Sequence, residues 1–257
     1  MFTNNFDPVA FYLFAFEIRW YSLSYIFGIL FGWFYCKRFL INDKIISSLF
    51  DDLITYLIVG IILGGRLGYI LFYNLKYYSQ NIFEIFFVWE GGMSFHGGLI
   101  GIIFATYLFS KKRKINKYIF LDLISVSAPI GLFFGRIANF INGELIGKAT
   151  NGNWGIIYPQ IDNIPRHPSQ LYECFFEGIL LFIILNIIFL RKKYKTGTVS
   201  FAFLFFYGIF RFISEIFREP DAHLGYLIGW LSMGMLLSLL MIFLSIILFY
   251  KSNEVQS

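Results

Sequence analysis

A histidine and several arginines stand in a chain that is otherwise nearly all apolar, and they carry its most reactive groups. His96 lies in Gly91-Gly92-Met93-Ser94-Phe95-His96-Gly97-Gly98, at the edge of one apolar run. Arg211 lies inside another, in Tyr207-Gly208-Ile209-Phe210-Arg211-Phe212-Ile213-Ser214-Glu215. An imidazole exchanges a proton near neutral pH. A guanidinium grips an oxyanion with two parallel hydrogen bonds. Ionisable groups at membrane depth cost about 2.5–3.5 kcal/mol each on insertion scales, so a membrane chain that keeps them generally uses them.

The elements that must position these groups follow from composition. Of 257 residues, 58% are hydrophobic and 14% charged. Soluble domains run at about 45–50% apolar and about 25% charged. The expected fold class is therefore all-α, a polytopic integral membrane protein with one transmembrane domain over 1–257. A helix needs roughly 20 apolar residues to cross the hydrocarbon. Seven such runs are expected, near 20–40, 53–74, 94–110, 118–138, 170–190, 198–217 and 225–250. Basic residues alternate between the loops. Lys37, Arg38 and Lys44 follow the first run, Lys111, Lys112, Arg113, Lys114 and Lys117 the third, and Arg191, Lys192, Lys193 and Lys195 the fifth. The positive-inside rule makes those loops cytoplasmic, the N-terminus external and the C-terminus cytoplasmic. Setting topology and touching anionic lipid heads is a sufficient role for these charges, and no nucleic-acid partner is expected.

The longest external stretch, about 139–168, is punctuated by glycine and proline and reads as a small extracytoplasmic loop region. Segment 76–90 reads as an interfacial amphipathic element. Asp7 and Glu17, without an early basic cluster, argue against a cleaved signal peptide. Cys36 and Cys174 sit in separate apolar runs and suggest no disulfide or metal pair. His96, His167 and His223 are too far apart in sequence to read as a ligand set. Of these, His223 reads as a solvated or headgroup-facing residue.

Counting 1.5 Å per residue from the cytoplasmic end of each run puts Tyr21, Arg66, His96 and Arg211 at about 20–24 Å and Arg136 at about 28 Å. Against a core of about 30 Å, all five lie toward the outer side. Five polar residues at one level suggest a cavity open to the outer leaflet. In the sixth run, Tyr207, Arg211, Glu215 and Arg218 fall on one helical face. Such a stripe faces the protein interior or water. It also allows a plainer reading, an Arg211–Glu215 pair that locks helices together. Gly60, Gly64 and Gly68, like Gly97–Gly101 and Gly131–Gly135, are spaced for close helix contact. Arg66, among Gly64, Gly65 and Gly68, reads equally as structural or functional.

One stretch is long and specific: Gly135-Arg136-Ile137-Ala138-Asn139-Phe140-Ile141-Asn142-Gly143-Glu144-Leu145-Ile146-Gly147. It resembles the signature of the prolipoprotein diacylglyceryl transferases. Arg19-Trp20-Tyr21, Gly64-Gly65-Arg66-Leu67-Gly68-Tyr69, Gly92 to Gly98, Arg166-His167-Pro168-Ser169-Gln170-Leu171-Tyr172-Glu173 and Arg218-Glu219-Pro220-Asp221 extend the resemblance in order along the whole chain. The resemblance implies seven spans with an external N-terminus. It implies transfer of the diacylglyceryl group of phosphatidylglycerol to the lipobox cysteine thiol of a prolipoprotein, forming a thioether and releasing glycerol 1-phosphate. It implies no cofactor and no metal.

These residues suit that chemistry. The substrate supplies the nucleophilic thiol, whose reactive fraction rises beside a base. His96 is the first candidate for that base and His167 the second, although a histidine near a phosphate can equally act as an electrostatic clamp. Arg136 and Arg211 suit the phosphate that gains charge as its C–O bond breaks. Asn139 is placed to hydrogen-bond the same headgroup. Glu144 would orient Arg136 or bind glycerol hydroxyls. Tyr21 and Tyr207 would position the headgroup, Glu215 would orient Arg211, and Gly147 permits a loop conformation. Two rivals remain: an anionic-solute transporter built on Arg136 and Arg211, and an intramembrane hydrolase, for which no Gly-x-Ser-x-Gly element surrounds Ser94.

Overall fold

The structure, a computed structural model, describes residues 1–14, 16–88, 91–191, 194–220 and 225–255. Lys192, Lys193, Asp221 and His223 lie outside the described residues. The chain divides into two compact units, Lys37–Leu121 and Met1–Cys36 with Asp122–Ser257.

The smaller unit holds α2 (Lys44–Tyr73), α3 (Leu75–Gln80) and α4 (Phe95–Arg113). Asp43 starts α2 by accepting the amides of Ile45 and Ile46 at 2.6 and 3.0 Å. Ser94 does the same for α4 through the Gly97 amide. Helices α2 and α4 touch backbone to backbone along the glycine stripe read from the sequence. A Cβ on Gly64 would lie 2.4 Å from the Gly97 carbonyl oxygen, and one on Gly60 would lie 2.7 Å from that of Gly101. Van der Waals packing of small residues replaces the hydrophobic driving force that lipid removes. Of the 76–90 segment, residues 89 and 90 lie outside the described residues; the rest folds as α3 and a 3-10 turn at Ile82–Phe86, with Ile82, Phe83 and Phe86 exposed.

The larger unit begins with strands β1 (Phe2–Thr3), β2 (Val9–Leu13) and β3 (Phe16–Arg19), then α1 (Trp20–Tyr35), which runs into a π-helical turn, Cys36–Leu40. Helix α5 (Lys117–Asn142) straddles the division between units. Next come β4 (Ile156–Tyr158) and β5 (Asp162–Arg166). A continuous helix, Ser169–Leu190, is built of α6 (Ser169–Glu173), a π-helical stretch at Cys174–Leu180 and α7 (Leu181–Leu190). Helix α8 (Thr198–Phe217), strands β6 (Tyr226–Ile228) and β7 (Leu231–Ser232), and α9 (Met233–Val255) complete it. Asp122, buried on α5, accepts the Gly197 and Ser200 amides at 2.7 and 2.8 Å and so caps α8 from a neighbouring helix.

The fold is mostly helical. Among the described residues, five helices are long and apolar enough to cross a membrane: Lys44–Tyr73, Lys117–Asn142, Ser169–Leu190, Thr198–Phe217 and Met233–Lys251. Helices α1 and α4 coincide with the first and third expected runs. One expectation needs correction. The seventh run begins at Met233 rather than 225, because Tyr226–Ser232 is a β-hairpin turning through Gly229 at φ +58°. Hydropathy sees Tyr226, Leu227 and Ile228 as apolar and cannot see that turn. Short strands accompany the helices: β1 pairs parallel with β4, and β4 antiparallel with β5, in a three-stranded sheet. Backbone amides that leave a helix still need partners, and short strands supply them.

Gly64→Leu should push α2 and α4 apart. Overpacking of this kind costs about 1–3 kcal/mol or more, so the melting midpoint in detergent should fall by several degrees. An unchanged midpoint would show that the close approach contributes little.

Candidate active site

Three helices of the larger unit converge on one ionic cluster. Arg136 projects from α5, Glu173 and Glu177 from the Ser169–Leu190 helix, and Arg211 and Glu215 from α8, with Arg218 just beyond its end. Glu173 and Glu177 have no exposed surface. The first closes α6 and the second lies in the π-helical stretch that follows. Such stretches frequently mark functional sites in helices.

Arg136 engages both members of this pair. Its Nε and Nη2 donate to Glu177 Oε2 at 3.1 and 2.9 Å, and its Nη1 lies 2.9 Å from Glu173 Oε2. Arg211 Nη1 donates to Glu173 Oε1 at 2.5 Å, and its Nη2 donates to Glu215 Oε1. Arg218 Nη1 is 3.6 Å from Glu173 and 3.4 Å from Glu215. Three guanidiniums thus meet three carboxylates, and the cluster is near neutral as a whole. An unpaired charge in such a place would carry a desolvation penalty of several kcal/mol. Tyr207 is buried one turn before Arg211 and stacks on Phe203.

The signature residues form the cluster's outer support. Helix α5 ends at Asn142, where Gly143 turns at φ +65° and the Glu144 amide returns to the Asn139 carbonyl at 3.0 Å. That is the Schellman pattern of helix ends. Asn139 is buried, and its side chain donates to Glu144 Oε2 at 3.2 Å, while Asn142 donates to Oε1. Buried Gln170 donates to the Glu144 carbonyl and accepts from the Tyr158 hydroxyl at 3.1 Å. Residues 146–150 then run as a ribbon between two neighbours. On one side Gly147 N donates to His167 O and His167 N to Lys148 O. On the other, Lys148 N donates to Phe217 O and Glu219 N to Ile146 O. A Cβ on Gly147 would sit 2.2 Å from the His167 carbonyl oxygen, so the close approach demands glycine. The ribbon ties the end of α8 to the start of the Ser169–Leu190 helix, the two elements that carry the glutamates.

The remaining expected residues fall elsewhere. His167 Nδ1 lies 3.1 Å from the Tyr172 hydroxyl, and the ring packs edge-on against Phe217. Tyr21 is exposed, its hydroxyl 3.2 Å from that of Tyr25. Arg66 and His96 belong to the smaller unit. Arg66 is 3% exposed, donates to the carbonyls of Glu84, Ile85, Gly91 and Gly92, and lies over the Tyr78 ring. That is a clamp on a backbone segment. His96 is half-buried in the first turn of α4. Among the described residues, no group of three or more His, Cys, Asp or Glu is placed to hold a metal ion.

Sequence reasoning matched Arg211 with Glu215, and the structure has that pair. It missed Glu173 and Glu177 as partners of the two arginines. Glu144, named as a possible orienter of Arg136, is exposed and engages Asn139 and Asn142 instead. The available signal was two carboxylates four residues apart inside an apolar helix.

The fold and the cluster define a multi-pass membrane protein with a buried arginine–glutamate centre. The family model for prolipoprotein diacylglyceryl transferase matches residues 8–251. The chain is 49% identical over 253 residues to the phosphatidylglycerol–prolipoprotein diacylglyceryl transferase of Rickettsia felis, covering 97% of this chain and 98% of the relative. It is 50% identical to the same-named proteins of Rickettsia bellii, over 97% of this chain and 96% of the relative, and Rickettsia typhi, over 99% and 100%. The chain belongs to the prolipoprotein diacylglyceryl transferase family, a family of enzymes.

Two outcomes follow from the site. Glu177→Ala leaves the half-buried Arg136 without the carboxylate that two of its N–H groups meet, and breaking a buried pair costs about 3–5 kcal/mol. The detergent melting midpoint should drop sharply, and an unshifted midpoint would mean that Arg136 is held by other groups. His167 loses solvent on burial, which lowers its pKa below the ordinary 6.5. The folded state then binds fewer protons than the unfolded one, so stability falls as the pH drops from about 6.5 through the lowered value. His167→Gln should flatten that part of the stability–pH curve, and an identical curve would exclude the effect.

Proposed function

We propose that this protein transfers the diacylglyceryl group of phosphatidylglycerol to the lipobox cysteine of prolipoproteins. The observation that carries the reading is the family match over residues 8–251, with relatives named for that donor and acceptor along their whole length. The acceptor sulfur attacks the glyceryl carbon that bears the phosphate. The C–O bond breaks, its electron pair leaves on the phosphate oxygen, and glycerol 1-phosphate departs. The thiol proton passes to a base.

Arg136 and Arg211 stabilise the charge that grows on the departing phosphate. Their carboxylate partners fix the guanidinium planes in advance, so little reorganisation is needed when charge develops. Asn139 and Glu144 serve the headgroup, with Tyr21 and Tyr207 positioning it. His96 is the proton acceptor, with His167 the second choice. Arg66 is structural in this reading, since its donors are occupied by backbone carbonyls. The chain crosses a bacterial cytoplasmic membrane seven times, with an external N-terminus and a cytoplasmic C-terminus. The site faces the outer leaflet, and no cofactor takes part. The transporter alternative finds no support among the relatives, which are named as transferases.

The test is direct. Purified protein in phosphatidylglycerol micelles receives a lipobox peptide, and glycerol phosphate release is followed. Release should require the cysteine. Its absence, under conditions where a relative works, would refute the reading. Arg136→Ala and Arg211→Ala should lose about 10²–10³-fold or more in turnover. Arg211→Lys should not restore it, because a point charge cannot replace a planar fork. Near-normal turnover of His96→Gln across pH would remove His96 as the base.

A further inference from the structure

Helix α9 meets the ionic cluster at its first turn. Ser232, 4% exposed, immediately precedes the helix, and its hydroxyl accepts the Met235 amide at 3.2 Å. That is an N-cap. The same hydroxyl donates to Glu215 Oε2 at 2.8 Å. Its hydrogen-bonding capacity is therefore divided between starting α9 and holding a carboxylate of the cluster. Gly234 lies against the same carboxylate. A Cβ there would sit 2.6 Å from both Glu215 Cδ and Oε1. Glu215 Oε1 in turn receives Arg211 Nη2 and lies 3.4 Å from Arg218 Nη1. The positive end of the α9 dipole thus faces this carboxylate at close range.

We infer that Ser232 is a positioning residue: through Glu215 it sets the plane of the Arg211 guanidinium, with Gly234 keeping the space the carboxylate needs. Oε2 is turned to the α9 cap and Oε1 to Arg211, so the carboxylate can rotate only by giving up one of the two. A hydroxyl at the start of one helix thereby fixes the aim of a cation on another. This rests on the reading that Arg211 binds the departing phosphate.

The experiment measures kcat and KM for phosphatidylglycerol in the micelle assay, alongside the melting midpoint. Ser232→Ala should lower kcat about tenfold, as expected for a lost hydrogen bond to a charged group, with a smaller change in KM. Ser232→Thr should stay within about twofold, since it keeps the hydroxyl. Ser232→Asp keeps a capping group but sets one carboxylate against another, so it should lose activity while α9 remains capped. In a Glu215→Ala background, Ser232→Ala should add less than about twofold, because the pathway is already cut. Equal losses in both backgrounds, or an active Ser232→Asp, would overturn the inference and leave Ser232 a helix cap alone. Arg211→Ala separates the two levels. If it retains full turnover, the reading of the site fails. If it is inactive while the Ser232 series is flat, only the positioning role fails.

Discussion

Everything in the larger unit is arranged around one electrostatic constraint: two glutamates with no exposed surface must each meet a guanidinium. Glu173 and Glu177 sit on one helix, Arg136 on a second and Arg211 on a third. No pair of these helices can slide or rotate without separating buried charges. Hydrocarbon offers no alternative partner, so the constraint is stiffer than in a water-soluble protein. Arginine suits it better than lysine, because a planar fork can meet two carboxylates at once and still present other N–H groups. Near-neutrality has a chemical corollary under the proposed reaction. A cluster with no large excess of positive charge does not trap the phosphate before the reaction begins, and stabilisation can be concentrated where new charge appears.

The outer support works by backbone rather than by charge. Residues 146–150 pair with 165–167 on one side and 217–219 on the other. The signature stretch from Gly135 to Gly147 is therefore half helix and half ribbon. Its first half delivers Arg136 to the glutamates. Its second half stitches together the ends of the two helices that carry Glu173 and Glu215. A contiguous motif in sequence thus spans two different mechanical jobs.

Much of this was legible in the residues. The apolar run at 198–217 is the helix Thr198–Phe217, and the 20–40 run covers α1 and its π-helical turn. The stripe Tyr207, Arg211, Glu215 and Arg218 does lie on the inward face, and the Gly60–Gly64–Gly68 row does meet Gly97 and Gly101. Period and small-residue spacing are local properties, so a single sequence carries them. The partners of Arg136 were not legible in the same way. Glu173 appeared only as the end of a motif, and Glu177 lies beyond it. Pairing across 41 residues depends on how two helices pack, and a π-helical stretch re-aims side chains in a way that ideal helical counting does not follow. The β-hairpin at Tyr226–Ser232 was hidden for another reason: half-apolar strands and an apolar helix look alike to hydropathy.

Residues 2–4 are tied to the middle of the chain. Phe2 and Thr3 pair with Ile156 and Ile157, and buried Asn4 donates to the Phe140 carbonyl while its own amide reaches Ile157. These contacts span more than 130 residues of sequence. In chain order β1 precedes its docking site, which exists only once α5 and β4 have been made. The β1 pairing is therefore a contact that needs residues 140 and 156–157 in place before it can form. A change at Phe2, Thr3 or Asn4 would act on that long-range pairing, and its effect would show in the yield of folded protein before it showed in turnover.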